Sequence, residues 1–147
     1  MSLGVLALAL TLMLQNAETP IKIAEGGFCI GLGWISADSS PDLIVEEGPD
    51  FAVYRYREKG TEWGIYSGGF SQVRDGERKL LFRRDGVTVS AMIVDGQSEG
   101  YLAEKGRGLE NHFFGTPFKD ARSAQEFFKR VDFGAEGKAK CKRHPMQ

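Results

Sequence analysis

The residues of this chain with the types and spacing for chemistry are few: two cysteines, one internal histidine and a carboxylate beside it. Cys141-Lys142-Arg143-His144 has the C-x-x-H spacing of half a zinc site. A tetrahedron needs two more ligands, and only Cys29 and His112 remain as good candidates. Cys29 is also conceivable as a thiol nucleophile with His112 as its base. The residues around it, Gly26-Gly27-Phe28-Cys29-Ile30-Gly31-Leu32-Gly33, read instead as a buried strand with glycines. The simplest chemistry open to Cys29 and Cys141 is a disulfide, and it is the expected one in an oxidising compartment.

Glu110-Asn111-His112, followed by Phe113-Phe114, is the one local cluster with catalytic residue types. A histidine oriented by a carboxylate is a general base. It lies in a glycine-bearing loop that starts at Gly106-Arg107-Gly108, with no partner nucleophile in the motif, so a polar loop leading into an apolar strand is the preferred reading. Arg55 and Arg57, with Glu62 and Tyr66, form a second candidate, a recognition surface for an acidic or sugar ligand. Its competitor is a solvated sheet face with one cross-strand ion pair. Gly31-Leu32-Gly33 lacks the third glycine and the helix of a dinucleotide fingerprint, and Ser67 has Ile65 where a nucleophile elbow wants glycine. No cofactor and no metal are therefore expected, and no catalytic set is assigned beyond the weak candidates His112 and Glu110.

The elements that must position these residues begin with an address. Leu3 to Leu14 is uncharged and strongly apolar. Twelve residues are too few for a membrane span, which takes about 20, but they match the apolar middle of a secretory signal peptide. Residues 1–17 are expected to be that peptide, cut after Ala17. This leaves 130 of the 147 residues as a single β-rich domain, 18–147. The expected location is periplasmic or extracellular, with no membrane span in the mature chain. A net charge of −1 gives no global field for nucleic acid. The charges are segregated, however. Glu18 to Asp50 carries seven acids and one base, and Asn111 to Gln147 carries eight bases and four acids. A Cys29–Cys141 bridge brings the acidic start and the basic end together, so the basic tail is expected to lie against the acidic N-terminal third.

Asp-Gly recurs at Asp75-Gly76, Asp85-Gly86 and Asp95-Gly96. Flanked by apolar runs, it signals two-residue type I′ hairpins, whose positive φ angles Asp tolerates and Gly accepts. Glu77 to Arg84, Val87 to Val94 and Gln97 to Glu104 then form a meander, preceded by a short strand from Phe70 to Val73. Such turns fix register. Phe82 faces Val89, Leu80 faces Ala91, Ala91 faces Gly100 and Val89 faces Leu102. Leu80, Phe82, Val87, Val89, Ala91, Ile93 and Leu102 collect on one face. The other face is polar apart from Leu81, Met92 and Tyr101. Upstream, Phe51 to Glu58 and Thr61 to Ser67 flank Lys59-Gly60, pairing Tyr56 with Trp63, Tyr54 with Ile65 and Arg57 with Glu62. Phe28 to Ile35 reads as one further strand and Leu43 to Val45 as a short one. Ser123-Ala124-Gln125-Glu126 is a capping box, Ala124, Phe127, Phe128 and Val131 follow as an apolar stripe, and Gly134 is the natural stop.

The expected fold is thus α+β: mainly an antiparallel β-sheet, built as a meander, with one C-terminal helix packed on it. The expected function is that of an exported, small, non-catalytic binding or structural module of the cell envelope or exterior, whose partner is a protein or envelope component. The alternative is a small hydrolase or enzyme inhibitor acting through the 106–112 loop.

Overall fold

The computed structural model describes residues 19–20, 23–37, 43–69, 75–94, 96–106 and 110–145. The expected signal peptide, the Phe70 to Val73 strand and Arg107-Gly108 lie outside them. Two hairpins form where the turn chemistry placed them. Lys59 and Gly60 both take positive φ, 48° and 78°, between β5 (Phe51–Glu58) and β6 (Thr61–Gly68). Asp85 and Gly86 do the same, 50° and 78°, between β7 (Lys79–Arg84) and β8 (Val87–Val94). The third turn also closes, with Val94 opposite Gln97 at the start of β9 (Gln97–Glu104).

Every register predicted for β5–β6 and β8–β9 is present: Tyr56 faces Trp63, Tyr54 faces Ile65, Arg57 faces Glu62, Ala91 faces Gly100 and Val89 faces Leu102. Phe82 faces Val89 as well, but Leu80 faces Ser90 rather than Ala91. A bulge between Leu80 and Phe82 adds one residue to β7 and moves Leu80 out of the core face, leaving it 51% exposed. Asp75-Gly76 forms a bend, and among the described residues β8 is the only strand paired with β7.

The main sheet has eight strands in the order β1-β4-β5-β6-β10-β9-β8-β7, all antiparallel, with β1 at Thr19–Pro20, β4 at Leu43–Glu47 and β10 at Glu110–Thr116. Two meanders are therefore joined through β6 and β10, so the segment after the Gly106 turn is a central strand, not a loop. One face of this sheet carries the core. Phe28 to Ile35 is not one strand. Gly31 (φ 91°) reverses the chain between β2 (Gly27–Cys29) and β3 (Trp34–Ser36), and Ile30 N–H donates to the Gly33 carbonyl at 2.9 Å. This hairpin forms a second sheet, β11-β3-β2, with β11 at Val131–Asp132. It covers the core face of the large sheet, where the Phe28 ring lies 5.8 Å from those of Tyr54 and Tyr56.

The predicted apolar stripe docks as expected: Ala124, Phe127, Phe128 and Val131 are all buried. Phe128 sits against Gly100, where a Cβ would collide with its ring. The helix, α1 (Ala121–Phe128), starts three residues earlier than the Ser123 box implies. Asp120 is the N-cap, its carboxylate accepting from Ser123 N–H at 2.7 Å, while Ser123 Oγ takes the Asp120 amide proton at 3.1 Å. Gly134 does not end this helix. It is the N-cap of a second one, α2 (Ala135–Arg143), which carries Cys141. Gly137 of α2 packs on the Asp132 backbone with no room for a Cβ. No helix among the described residues is long and apolar enough to cross a membrane.

Candidate functional site

Strand β10 lies between β6 and β9, and its side chains alternate between the two faces of the sheet. This divides the Glu110-Asn111-His112 cluster. Asn111 points to the core face, where its Nδ2 donates to the Ile30 carbonyl at 2.8 Å. Ser67 Oγ of β6, opposite Asn111, donates to the same carbonyl at 3.3 Å. Together they latch the β2–β3 turn, and with it Cys29, onto the large sheet. Glu110 opens β10 opposite Gly68 and Ala103.

His112 points the other way. Its partner in β9 is Tyr101, and the two rings stack at 4.9 Å with an interplanar angle of 11°. Glu99, two residues before Tyr101 and hence on the same face, supplies the carboxylate. Its Oε2 lies 3.1 Å from His112 Nε2 and accepts from the Tyr101 hydroxyl. The side chains of His112 and Glu99 are 9% and 8% exposed. The Arg78 guanidinium lies 3.7 Å over the Tyr101 ring, a cation–π contact that closes the cluster from outside. A carboxylate-oriented imidazole is therefore present, with Glu99 as a carboxylate partner, on a strand inside the sheet. Such a buried, hydrogen-bonded network is costly to leave half satisfied and so fixes one arrangement of the second face.

The Arg55–Arg57–Tyr66 candidate is only partly assembled. Arg55 and Arg57 line a shallow depression of about 160 Å³ with Ile44, Tyr56 and Glu62. Arg57 is paired with Glu62 at 3.1 Å and Arg55 with Glu46 at 3.6 Å. Tyr66 does not line that depression. It stacks on Phe51 at 5.7 Å and faces Val53 and His112. The surface carries exposed ion pairs, each worth less than about 1 kcal/mol.

Cys29 of β2 and Cys141 of α2 form the disulfide, with Cα atoms 5.1 Å apart. Both sulfurs are consumed, which overturns the half-zinc-site and thiol-nucleophile readings. His144 sits beside the Trp34 ring, 5.9 Å between centroids, and its Nε2 lies 3.3 Å from Glu25 Oε1, too far off line for a hydrogen bond. Among the described residues no group of three His, Cys, Asp or Glu side chains is placed to hold a metal ion.

The basic end of the chain divides in two. Arg143 pairs with Glu25 at 3.0 Å. That hydrogen bond, and then His144, hold the Glu25 carboxyl below the usual carboxylate range, and Glu25 in turn raises Arg143. Lys140 pairs with Glu136 within α2 at 3.6 Å. Lys138 and Lys142 face elsewhere. They border a groove of about 290 Å³ beside Cys141, lined by Gly31, Leu32, Gly33 and Glu104. The tail thus touches the acidic N-terminal third through Glu25 and leaves two lysines out of that contact.

Sequence reasoning missed Glu99, Tyr101 and the Asn111–Ser67 latch. The alternation Glu99-x-Tyr101 was a signal, since Tyr101 was an apolar exception on a polar face. Its meaning depended on His112 lying next to it across β9 and β10. In comparisons with known protein families, curated proteins and solved structures, the chain matches none.

Proposed function

We propose that the chain is an exported, non-catalytic binding or structural module of the cell envelope or exterior. The observation that carries this reading is the Cys29–Cys141 disulfide, which ties β2 to the C-terminal helix across 112 residues. Such bridges persist in oxidising compartments and are rare where glutathione and thioredoxin keep thiols reduced. The apolar run Leu3 to Leu14 supplies a route to such a compartment. The alternative, a hydrolase or inhibitor working through the 106–112 loop, has less support, because the His112 imidazole is engaged with Glu99 under Arg78 and Tyr101. The test is mass spectrometry and thiol titration of the protein isolated from its host. We expect an N-terminus at Glu18 and no titratable thiol. A mature chain that keeps Leu3 to Leu14, or carries two reactive thiols, overturns the reading.

A further inference from the structure

The Cys29–Cys141 bridge is not sealed inside the protein. Both cysteines are partly exposed, and Cys141 lines the groove of about 290 Å³ between α2 and the β2–β3 turn. Its Sγ lies 3.4 Å from the Gly33 carbonyl oxygen, on the wall that Gly31, Leu32 and Gly33 build. Two of those three residues are glycines, so that side of the entrance is largely bare backbone. On the other side, Lys138, Cys141 and Lys142 follow the i, i+3, i+4 spacing that puts side chains on one helix face. All three border the same groove, with Glu104 as the one acid among its described lining residues. Cys29 does not line it. The groove therefore reaches one sulfur of the pair, and does so past two ammonium groups.

We propose that Cys141 is a thiol–disulfide exchange site, open in the folded protein, for small thiols that carry a negative charge. The incoming thiolate attacks Cys141 Sγ through the groove. A new S–S bond forms there as the Cys29–Cys141 bond breaks, and the electron pair leaves on Cys29 Sγ. The proton released when the small thiol ionised returns to Cys29 through solvent. One disulfide is lost and one is formed, so no further oxidant or reductant is needed. The reverse reaction expels the small thiol and restores the bridge. Charge selects the substrate. The negative charge of the attacking thiolate spreads over three sulfurs in the transition state, and Lys138 and Lys142 stabilise it there as well as on approach. A second negative charge on the thiol adds to that attraction. The walls of the groove do not depend on the bridge alone. Asn111 and Ser67 hold the β2–β3 turn through the Ile30 carbonyl, and Arg143 on Glu25 with Gly137 on Asp132 holds α2. The proposal goes beyond the module reading, which asks only that the bridge be present.

The experiment follows opening of the bridge in the intact, oxidised protein, with iodoacetamide as quench and mass spectrometry as readout. Three small thiols serve as probes: mercaptoethanesulfonate, which is anionic, mercaptoethanol, which is neutral, and cysteamine, which is cationic. Rates are compared per thiolate present. Opening should be linear in thiol concentration and insensitive to low urea. It should be at least about tenfold faster with the anionic than with the cationic thiol at low ionic strength, a gap that closes with added salt. The first product should carry the small thiol on Cys141 and the alkyl group on Cys29. Lys138→Gln with Lys142→Gln should reduce the charge preference below about threefold, with the melting temperature unchanged. A rate that climbs with urea at the full unfolding slope m means that only the unfolded chain is attacked, and overturns the proposal. So does the absence of a charge preference, its survival in the double variant, or a first product with the small thiol on Cys29. None of these results touches the thiol and N-terminus measurements on the host protein, so this inference can fail while the module reading stands.

Discussion

Replacing both cysteines, Cys29→Ser with Cys141→Ser, isolates what the bridge contributes. The closed loop spans 112 residues of separation, and for a loop near that size the chain-entropy model gives about 4.7 kcal/mol at 25 °C. A domain of this size has a total stability of roughly 5–15 kcal/mol, so the loss is between a third and nearly all of it. We expect the variant still to reach the native fold. The β2–β3 hairpin is held independently by Asn111 and Ser67 on the Ile30 carbonyl and by the burial of Phe28, Ile30 and Ile35. Helix α2 is held by Arg143 on Glu25 and by the close packing of Gly137 on Asp132. Urea unfolding of the oxidised parent and the double serine variant measures the difference. The midpoint should fall and the slope m should rise, because the uncrosslinked unfolded chain exposes more surface. A loss under about 1 kcal/mol, with m unchanged, would refute the idea that the bridge acts by restraining the unfolded chain.

Gly100→Ala puts a Cβ into the Phe128 ring; we expect a loss of about 1–3 kcal/mol in urea unfolding, partly recovered when Phe128→Leu is added. His112→Ala removes a hydrogen-bond partner from the buried Glu99 carboxylate; it should cost about 1–3 kcal/mol by the same assay. Glu25 is held below its ordinary value by the Arg143 hydrogen bond and then by His144, and Asp120 by the Ser123 amide. Both folded values lie below the unfolded ones, so their stabilisation is complete above the unfolded carboxylate range and is lost as pH falls through the folded values. Melting temperature should therefore drop below about pH 4, and less steeply for Glu25→Gln with Asp120→Asn than for the parent.

The parts of the fold that were legible are those set by local chemistry. Lys59-Gly60 and Asp85-Gly86 determine their own turn geometry, and a two-residue turn then determines which residues face each other. The strand pairs from Phe51 to Glu104 follow from that rule, except where β7 gains a residue at its bulge and shifts Leu80. Overlapping signals were harder. Asp120-x-x-Ser123 and Ser123-x-x-Glu126 are both capping patterns, and the earlier one prevails because it adds a turn to the helix ahead of Phe127 and Phe128. Helix α2 left no apolar stripe to read, since Gly137 is its one buried residue. Its place comes from Cys141 and Glu25, which are remote in sequence.

Strand order belongs to the same class of information, and it explains the fate of the one motif that resembled catalytic machinery. Nothing between Gly106 and Phe114 says that this segment lies between β6 and β9. Once it does, the period of two sends Asn111 to the core as a latch for Cys29 and sends His112 to the opposite face against Glu99 and Tyr101. Both side chains make contacts that hold the two faces of one sheet. A bridge that pulls α2 onto β2 sets Arg143 against Glu25, and by the helical repeat it turns Lys138 and Lys142 toward the turn at Gly31 to Gly33 and toward Glu104. The same covalent bond that staples the chain therefore also sets which cations of α2 meet a carboxylate and which line a groove.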